Sequence, residues 1–249
     1  MILIKLGGSV LTDKEKRYTF NTRTAKRIFR EIKKTSIEDY IIVHGGGSFG
    51  HPGAEKYGLN DQRSKRSPEG LSKVQLDMRR MNHRVLEIMQ KLGMFGVSIP
   101  GGLVTLFENG VLKEINEDIF KKYASLDVIP VAFGDVTIDE QLGITICSGD
   151  DLMMGLSNLA DKAIFVTDVD GIYKKNELIE TFTEEMYPLR EEDFSQRKDK
   201  MDVTGGMNEK VKKILEVSDR CETFVVNGEK PDRLAGLLRG DDVICTQVR

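Results

Sequence analysis

Short apolar runs alternate along this chain with stretches whose apolar residues recur at three- and four-residue steps. Residues 1–6, Met-Ile-Leu-Ile-Lys-Leu, read as a buried strand. Thr22–Lys34 carries Ala25, Ile28, Phe29 and Ile32 on one helical face, with Asn21 or Thr22 available as its cap. A strand follows at 40–43. Residues 67–91 then place Val74, Met78, Met81, Val85 and Ile88 at helical spacing, which predicts a long amphipathic helix.

Further strands are predicted at 95–99, 128–133, 163–167, 223–226 and 243–246, with a helix at 231–238 between the last two. The runs at 128–133 and 163–167 are apolar enough to be buried on both faces. Asn109-Gly110, between apolar runs at 104–106 and 111–113, is a preferred centre for a two-residue hairpin, and a second hairpin is predicted around Asp139-Glu140. The alternation predicts βαβ units and an α/β fold with a mostly parallel sheet. Ser148-Gly149-Asp150-Asp151 reads as a helix start and divides the chain into lobes 1–147 and 148–249, through both of which one sheet can run. Residues 174–200 are rich in charge and poor in period, so they are expected to cover a site as a mobile excursion.

Composition narrows the class. With 249 residues and 39% hydrophobic content the chain can bury a large core. Its charged residues, 31% of the total, nearly cancel to a net −3, so it lacks the global basic field of a nucleic-acid binder. Small anionic ligands need only local lysines. Cys147, Cys221 and Cys245 form no C-x-x-C pair, which argues against a zinc site or a disulfide framework. The chain starts inside its first strand with no signal-like or long apolar segment, so it is expected to be cytoplasmic and off the membrane.

The chemistry gathers at three glycine turns. Strand 40–43 opens into His44-Gly45-Gly46-Gly47-Ser48-Phe49-Gly50-His51, where several backbone N–H groups can meet one anion without Cβ interference. Residues 1–6 run into Gly7-Gly8-Ser9, with Lys5 at the end of the strand and Lys14 just beyond. Far downstream, Asp202-Val203-Thr204-Gly205-Gly206-Met207 precedes a helix carrying Lys210 in its first turn. Three such turns with three lysines exceed what one phosphate needs. Neither G-x-x-x-x-G-K-[ST] nor a G-x-G-x-x-G opening a helix after the first strand is present.

These blocks, with Thr12-Asp13-Lys14 and residues 167–173 (Thr-Asp-Val-Asp-Gly-Ile-Tyr), resemble the amino acid kinase superfamily and, within it, the isopentenyl phosphate kinases. His51 closing the second glycine turn is the sharper part of the likeness. The resemblance implies a three-layer αβα sandwich with a central, mostly parallel sheet. It also implies ATP-dependent phosphorylation of isopentenyl phosphate, ATP carried with Mg²⁺, and a homodimer. The first lobe would hold the phosphate acceptor and the second ATP. On the family pattern Lys5, Lys14 and His51 are catalytic. ATP would lie against Lys5, Leu6, Gly7, Gly8, Ser9, Gly47, Asp168, Asp170, Gly206 and Lys210, and the acceptor against Gly46, His51, Gly149 and Asp150. No residue is assigned as a metal ligand.

Plainer roles exist for several of these residues. His51 can cap a helix, Lys14 can be a solvated charge within residues 13–17, and His44 can be a buried structural partner. Asp150 and Asp151 can bind a metal or cap the helix they open. Met78, Met81, Val85, Ile88, Met89, Met94, Phe95 and Ile99 can line a slot for a short prenyl tail or simply pack a core. Two rival functions fit the same turns: a fosfomycin kinase, and a non-catalytic nucleotide-binding sensor or storage protein.

Overall fold

The protein is seen here as a computed structural model, which describes residues 1–13, 16–59, 67–189 and 206–249. In chain order, the first half comprises β1 (Ile2–Leu6), α1 (Gly8–Leu11), α2 (Thr22–Lys34), β2 (Tyr40–His44), α3 (Gly47–Lys56), α4 (Pro68–Lys91), β3 (Gly96–Pro100) and α5 (Gly101–Val104). There follow β4 (Thr105–Glu108), β5 (Val111–Ile115), α6 (Glu117–Ala124), β6 (Ile129–Phe133), β7 (Asp135–Asp139), β8 (Gly143–Cys147), α7 (Gly149–Leu156) and β9 (Lys162–Thr167). The remainder is β10 (Tyr173–Lys174), β11 (Glu177–Leu178), β12 (Thr181–Phe182), α8 (Gly206–Ser218), β13 (Glu222–Asn227), α9 (Arg233–Arg239) and β14 (Cys245–Val248).

Eight strands form one sheet in the order β12-β14-β13-β9-β1-β2-β6-β3, parallel throughout except for the β13–β14 pair. Alternate residues of the central strands feed opposite faces, as a pleat requires. Ile4, Leu6, Ile42 and Val166 pack under α2, α4 and α9, whereas Leu3, Ile41, Val43 and Phe165 pack against α6, α7 and α8. The result is the expected helix–sheet–helix sandwich. A smaller sheet, β5-β4-β7-β8, lies beside it.

The topology fixes where a ligand can sit. From β1 the chain crosses to β2 on one side, and later to β9 on the other, so β1 marks a reversal of strand order. Ligands of open parallel sheets bind beyond the carboxyl ends of the strands at such a reversal. The register brings the ends of β1, β2, β6 and β9 level, with Leu6 opposite both His44 and Val166, and His44 opposite Phe133.

Both predicted hairpins form. Asn109 and Gly110 have φ of 53° and 78°, the left-handed pair of a type I′ turn, between Glu108 and Val111; β7 and β8 make the second. The last strand starts two residues later than expected because Val243 packs on α9, where Gly236 leaves room for it. The expected excursion at 174–200 is corrected over its first part. Residues 173–178 form the β10–β11 hairpin, β12 pairs with β14 at the sheet edge, and Phe182 and Leu189 are buried in the core. Strands of two residues are too short to show a period, and Lys175 and Asn176 supply the left-handed turn where Asn-Gly is the usual signal. Residues 190–200 of that segment lie outside the described residues.

Candidate active site

Two glycine turns meet at the carboxyl ends of β1 and β2. A Cβ on Gly8 would lie 2.6 Å from the Gly47 nitrogen and 2.7 Å from its Cα, so the turns touch backbone to backbone. Gly47 itself has φ of 46°, and Thr12 occupies the place its side chain would take. The Thr12 hydroxyl joins the turns, donating to the Gly8 carbonyl (2.6 Å) and accepting from Ser48 N–H (3.0 Å). Gly7 N–H donates to the Val166 carbonyl (2.8 Å), which anchors the first turn to β9.

Helix α7 brings a third element to the same point. Gly149 packs against the Lys5 stem and the His44–Gly45 backbone, and Lys5 Nζ pairs with Asp150 Oδ1. Burial pushes the Asp150 carboxyl up, but Lys5, joined by Lys210 and Lys213, more than offsets it and holds the group below the ordinary carboxylate range. Ser148 caps the helix and Asp151, at its third position, completes the capping box. Asp151 Oδ2 accepts from Ser148 N–H (2.8 Å) and Ser148 Oγ (2.7 Å), and its Oδ1 accepts from Lys213 Nζ (2.6 Å).

The loop after β9 is fastened from both sides. Ser9 Oγ donates to Asp168 Oδ1 (2.8 Å), tying it to the first glycine turn. Asp170 Oδ1 accepts from Asn227 Nδ2 (2.7 Å) and Arg233 Nη1 (2.6 Å). Burial raises the Asp170 carboxyl, and Asn227 and Arg233 outweigh it to leave the group lowered. Leu6, at the end of β1, is wholly buried in the core. Gly206 opens α8, and Lys210 stands exposed on that helix.

The two histidines of the second turn separate. His51 lies exposed in α3, one turn after Gly46 and Gly47, rather than at the helix cap. His44 is fully buried, stacked on Phe133 with ring centroids 5.2 Å apart and held by the Gly45 carbonyl and Asn82 at 3.1 Å each. Burial lowers its pKa despite both partners. It supports the turn from behind. Lys14 and residues 202–205 lie outside the described residues.

Several residues gain a place that the sequence pattern did not give them. Ser48 clamps the chain on the far side of Lys14: its Oγ accepts from Thr19 N–H (3.1 Å) and donates to the Thr19 carbonyl (3.0 Å), while its own carbonyl accepts from Tyr18 N–H (3.2 Å). Lys213 reaches α7 from α8. Of the apolar stripe, Met81, Val85, Ile88, Met89 and Met94 pack the central core, Ile99 lies on the other face, and Phe95 is exposed. Only Met78 touches the glycine turn, with its sulfur against Gly46 and Gly50, and it belongs to a separate cluster with Ala54, Leu59, Val74, Phe133 and Val136.

Among the described residues no group of three or more His, Cys, Asp or Glu is placed to hold a metal ion. Asp150, Asp151, Asp168 and Asp170 are each engaged by lysine, arginine or hydroxyl donors.

The family model of the amino acid kinase family matches residues 1–227. An isopentenyl phosphate kinase from Thermoplasma acidophilum is 33% identical, with 95% of this chain and 96% of that protein covered. One from Methanocaldococcus jannaschii is 32% identical, with 97% and 96% covered. Among solved structures, one of isopentenyl phosphate kinase superposes with a TM-score of 0.85 at 26% identity, covering 100% of this chain and 99% of that one. A substrate complex of isopentenyl phosphate kinase gives 0.80 at 28% identity, with both chains covered in full.

Proposed function

The chain belongs to the amino acid kinase family, and from that premise we propose that it transfers the terminal phosphoryl group of ATP to isopentenyl phosphate, giving isopentenyl diphosphate and ADP. This reading rests on the direct contact of the Gly8 and Gly47 turns beside the Lys5–Asp150 pair, at the strand-order reversal. Two phosphate-accepting turns in contact suit a reaction that must bring two polyanions together. The near full-length likeness to isopentenyl phosphate kinases supports the choice of acceptor, and neither the fosfomycin kinase nor the binding-protein alternative is favoured.

A phosphate monoester is largely ionised at neutral pH, its second pKa being about 6, so its attacking oxygen needs no strong general base. Catalysis then rests on alignment and on stabilising charge as it moves between the two phosphates. Backbone N–H groups of Gly8 and Gly47 receive the ATP phosphates, with Gly7 fixed to β9 through its own N–H and shaping the turn, and those around Gly46 and Gly149 receive the acceptor. Lys5, fixed by Asp150, supplies a cation beside both. His51 donates to the acceptor phosphate from one turn into α3. Lys14 stabilises the transferring group, and Lys210 meets the ATP phosphates with Gly206. Asp168 and Asp170 shape the nucleotide loop through Ser9, Asn227 and Arg233.

Lobe 1–147 holds the acceptor through Gly46 and His51 and lobe 148–249 the nucleotide through Gly206 and Lys210, while the turns where the lobes meet cross over, Gly8 and Gly47 to ATP and Gly149 to the acceptor. The Met78 cluster, against Gly46 and Gly50, is the best-placed wall for the prenyl tail. With their carboxylates engaged, the described residues do not form a Mg²⁺ cage, and the ion would arrive on the ATP phosphates. No described helix is long and apolar enough to cross a membrane, and we place the enzyme in the cytoplasm. We expect a homodimer; the sheet-edge position of β3 next to exposed Phe95 supports it.

Coupled ADP release tests the reading. With ATP and Mg²⁺, isopentenyl phosphate should give the highest kcat/KM in a panel with dimethylallyl phosphate, fosfomycin, uridylate and acetylglutamate. A higher value for fosfomycin, uridylate or acetylglutamate would overturn it.

A further inference from the structure

The first turn of α7 carries two adjacent aspartates with different partners. Asp150 takes Lys5 from the end of β1, and Asp151 takes Lys213 from α8. Both oxygens of Asp151 are engaged within the protein, Oδ1 by Lys213 and Oδ2 by the Ser148 backbone and hydroxyl. It is almost fully buried and Lys213 more than half so, hence the pair is a desolvated contact whose loss leaves an uncompensated charge.

Lys213 follows Lys210 by three positions, so both project from one face of α8, about 4.5 Å apart along its axis. A helix tied at Lys213 has its rotation and height fixed at Lys210. Among the described residues, a second polar tie near its start joins Asn208 to the backbone of Leu189 at 3.0 and 3.2 Å, away from α7. Among the described residues the Lys213–Asp151 pair is therefore the polar link from α8 itself to the first turn of the helix that presents Gly149 and Asp150; at the far end of α7, Arg220, two residues past α8, donates to the Met154 carbonyl (2.9 Å). Consistent with that link, the Lys210 charge is felt at Asp150.

We infer that Lys213 is a positioning residue for phosphoryl transfer: through Asp151 it sets α8 against α7, and so places Lys210 at the ATP phosphates. This rests on the reading of α8 as a nucleotide helix. Lys213 itself touches neither substrate in this scheme.

The test is a double-mutant comparison in the ADP-release assay, with ATP and isopentenyl phosphate varied separately. Lys213→Met should lower kcat/KM for ATP about tenfold, the scale of one lost charge-assisted hydrogen bond, while the acceptor KM stays within twofold. Lys213→Arg should recover most of that loss. Asp151→Asn, which retains an oxygen for the Ser148 cap, should reproduce the Lys213→Met defect and keeps the test open if that variant folds poorly. In a Lys210→Ala background, adding Lys213→Met should cost less than twofold, because the residue being positioned is gone. Equal losses in both backgrounds, or a lowered Tm with unchanged ATP kinetics, would make Lys213 a structural tie only and overturn the inference. Unchanged ATP kinetics in Lys210→Ala alone would overturn the nucleotide reading of α8 as well.

Discussion

Replacing Thr12 by valine tests whether the two phosphate turns are held together as described. Valine keeps the shape of the side chain and removes only the hydroxyl. Thr12 is buried, and its hydroxyl makes two hydrogen bonds, to the Gly8 carbonyl and from Ser48 N–H. The two losses are unequal. The Gly8 carbonyl still accepts from Thr12 N–H at 2.9 Å, so it forfeits roughly 1 kcal/mol, whereas Ser48 N–H is left buried without that acceptor, at a cost of about 1–3 kcal/mol. The expected destabilisation is about 2–4 kcal/mol, which for a chain of this size lowers Tm by about 4–16 °C. Urea unfolding followed by circular dichroism gives the free energy directly, and Thr12→Ser, which restores the hydroxyl, should fall within about 1 kcal/mol of the parent. With the turns flanking both substrates as proposed, kcat/KM should fall for ATP and acceptor alike. A Thr12→Val protein within about 0.5 kcal/mol of the parent, with normal kinetics, would refute the idea that this hydroxyl joins the turns.

His51→Ala should raise the acceptor KM or abolish turnover while calorimetry shows near-normal ATP binding; the lost charge-assisted bond is worth roughly 1.5–3 kcal/mol, one to two decades in kcat/KM, and His51→Gln should retain more activity. Lys14→Ala should lower kcat by more than it raises either KM, and Lys14→Arg should not fully restore it; an unchanged kcat would return Lys14 to the solvated surface. Because the Asp150 carboxyl is held below its ordinary range, its pairing with Lys5 adds stability above the unfolded-state pKa of about 3.9 that is lost as pH falls through the folded value. Asp150→Asn should therefore flatten the acid limb of the stability curve below about pH 4, and an unaltered limb would show that the pair contributes nothing there.

Fold and site were legible to different depths. Period and turn chemistry carry the central strands, the long α4 and both hairpins, because each is a local signal of several residues. The glycine turns were legible for the same reason, since only a few conformations follow a strand that ends in Gly-Gly. Their mutual contact was not: Gly8 and Gly47 are far apart in sequence, and nothing local to either announces the other. Thr12 and Ser48 lie inside the recognised blocks, yet their hydrogen bonds depend on how two turns dock. Nothing in the sequence singles out Lys213 among the charges of its helix, because its partner Asp151 lies on another element. The methionine stripe left core and ligand wall both open, because either gives the same helical pattern; Met81, Val85, Ile88, Met89 and Met94 pack the core, and Met78 reaches the glycine turn. His44 and His51 look alike on the page, but one is the last residue of a buried strand and the other lies on an exposed helical turn.

The place of β1 in the large sheet also governs how the chain can assemble. Its five residues pair with β2 on one edge and with Lys162–Val166 of β9 on the other, a closure that spans 160 positions. Contacts of such separation cost loop entropy before they return any burial, and they are formed slowly. Until β9 is in place, β1 presents an open edge of unpaired backbone groups in an apolar strand, a template for pairing with another chain. An excised fragment 1–147 would carry that edge permanently and should aggregate. The two proposed lobes divide the chemistry, but folding cannot finish in one without a strand from the other.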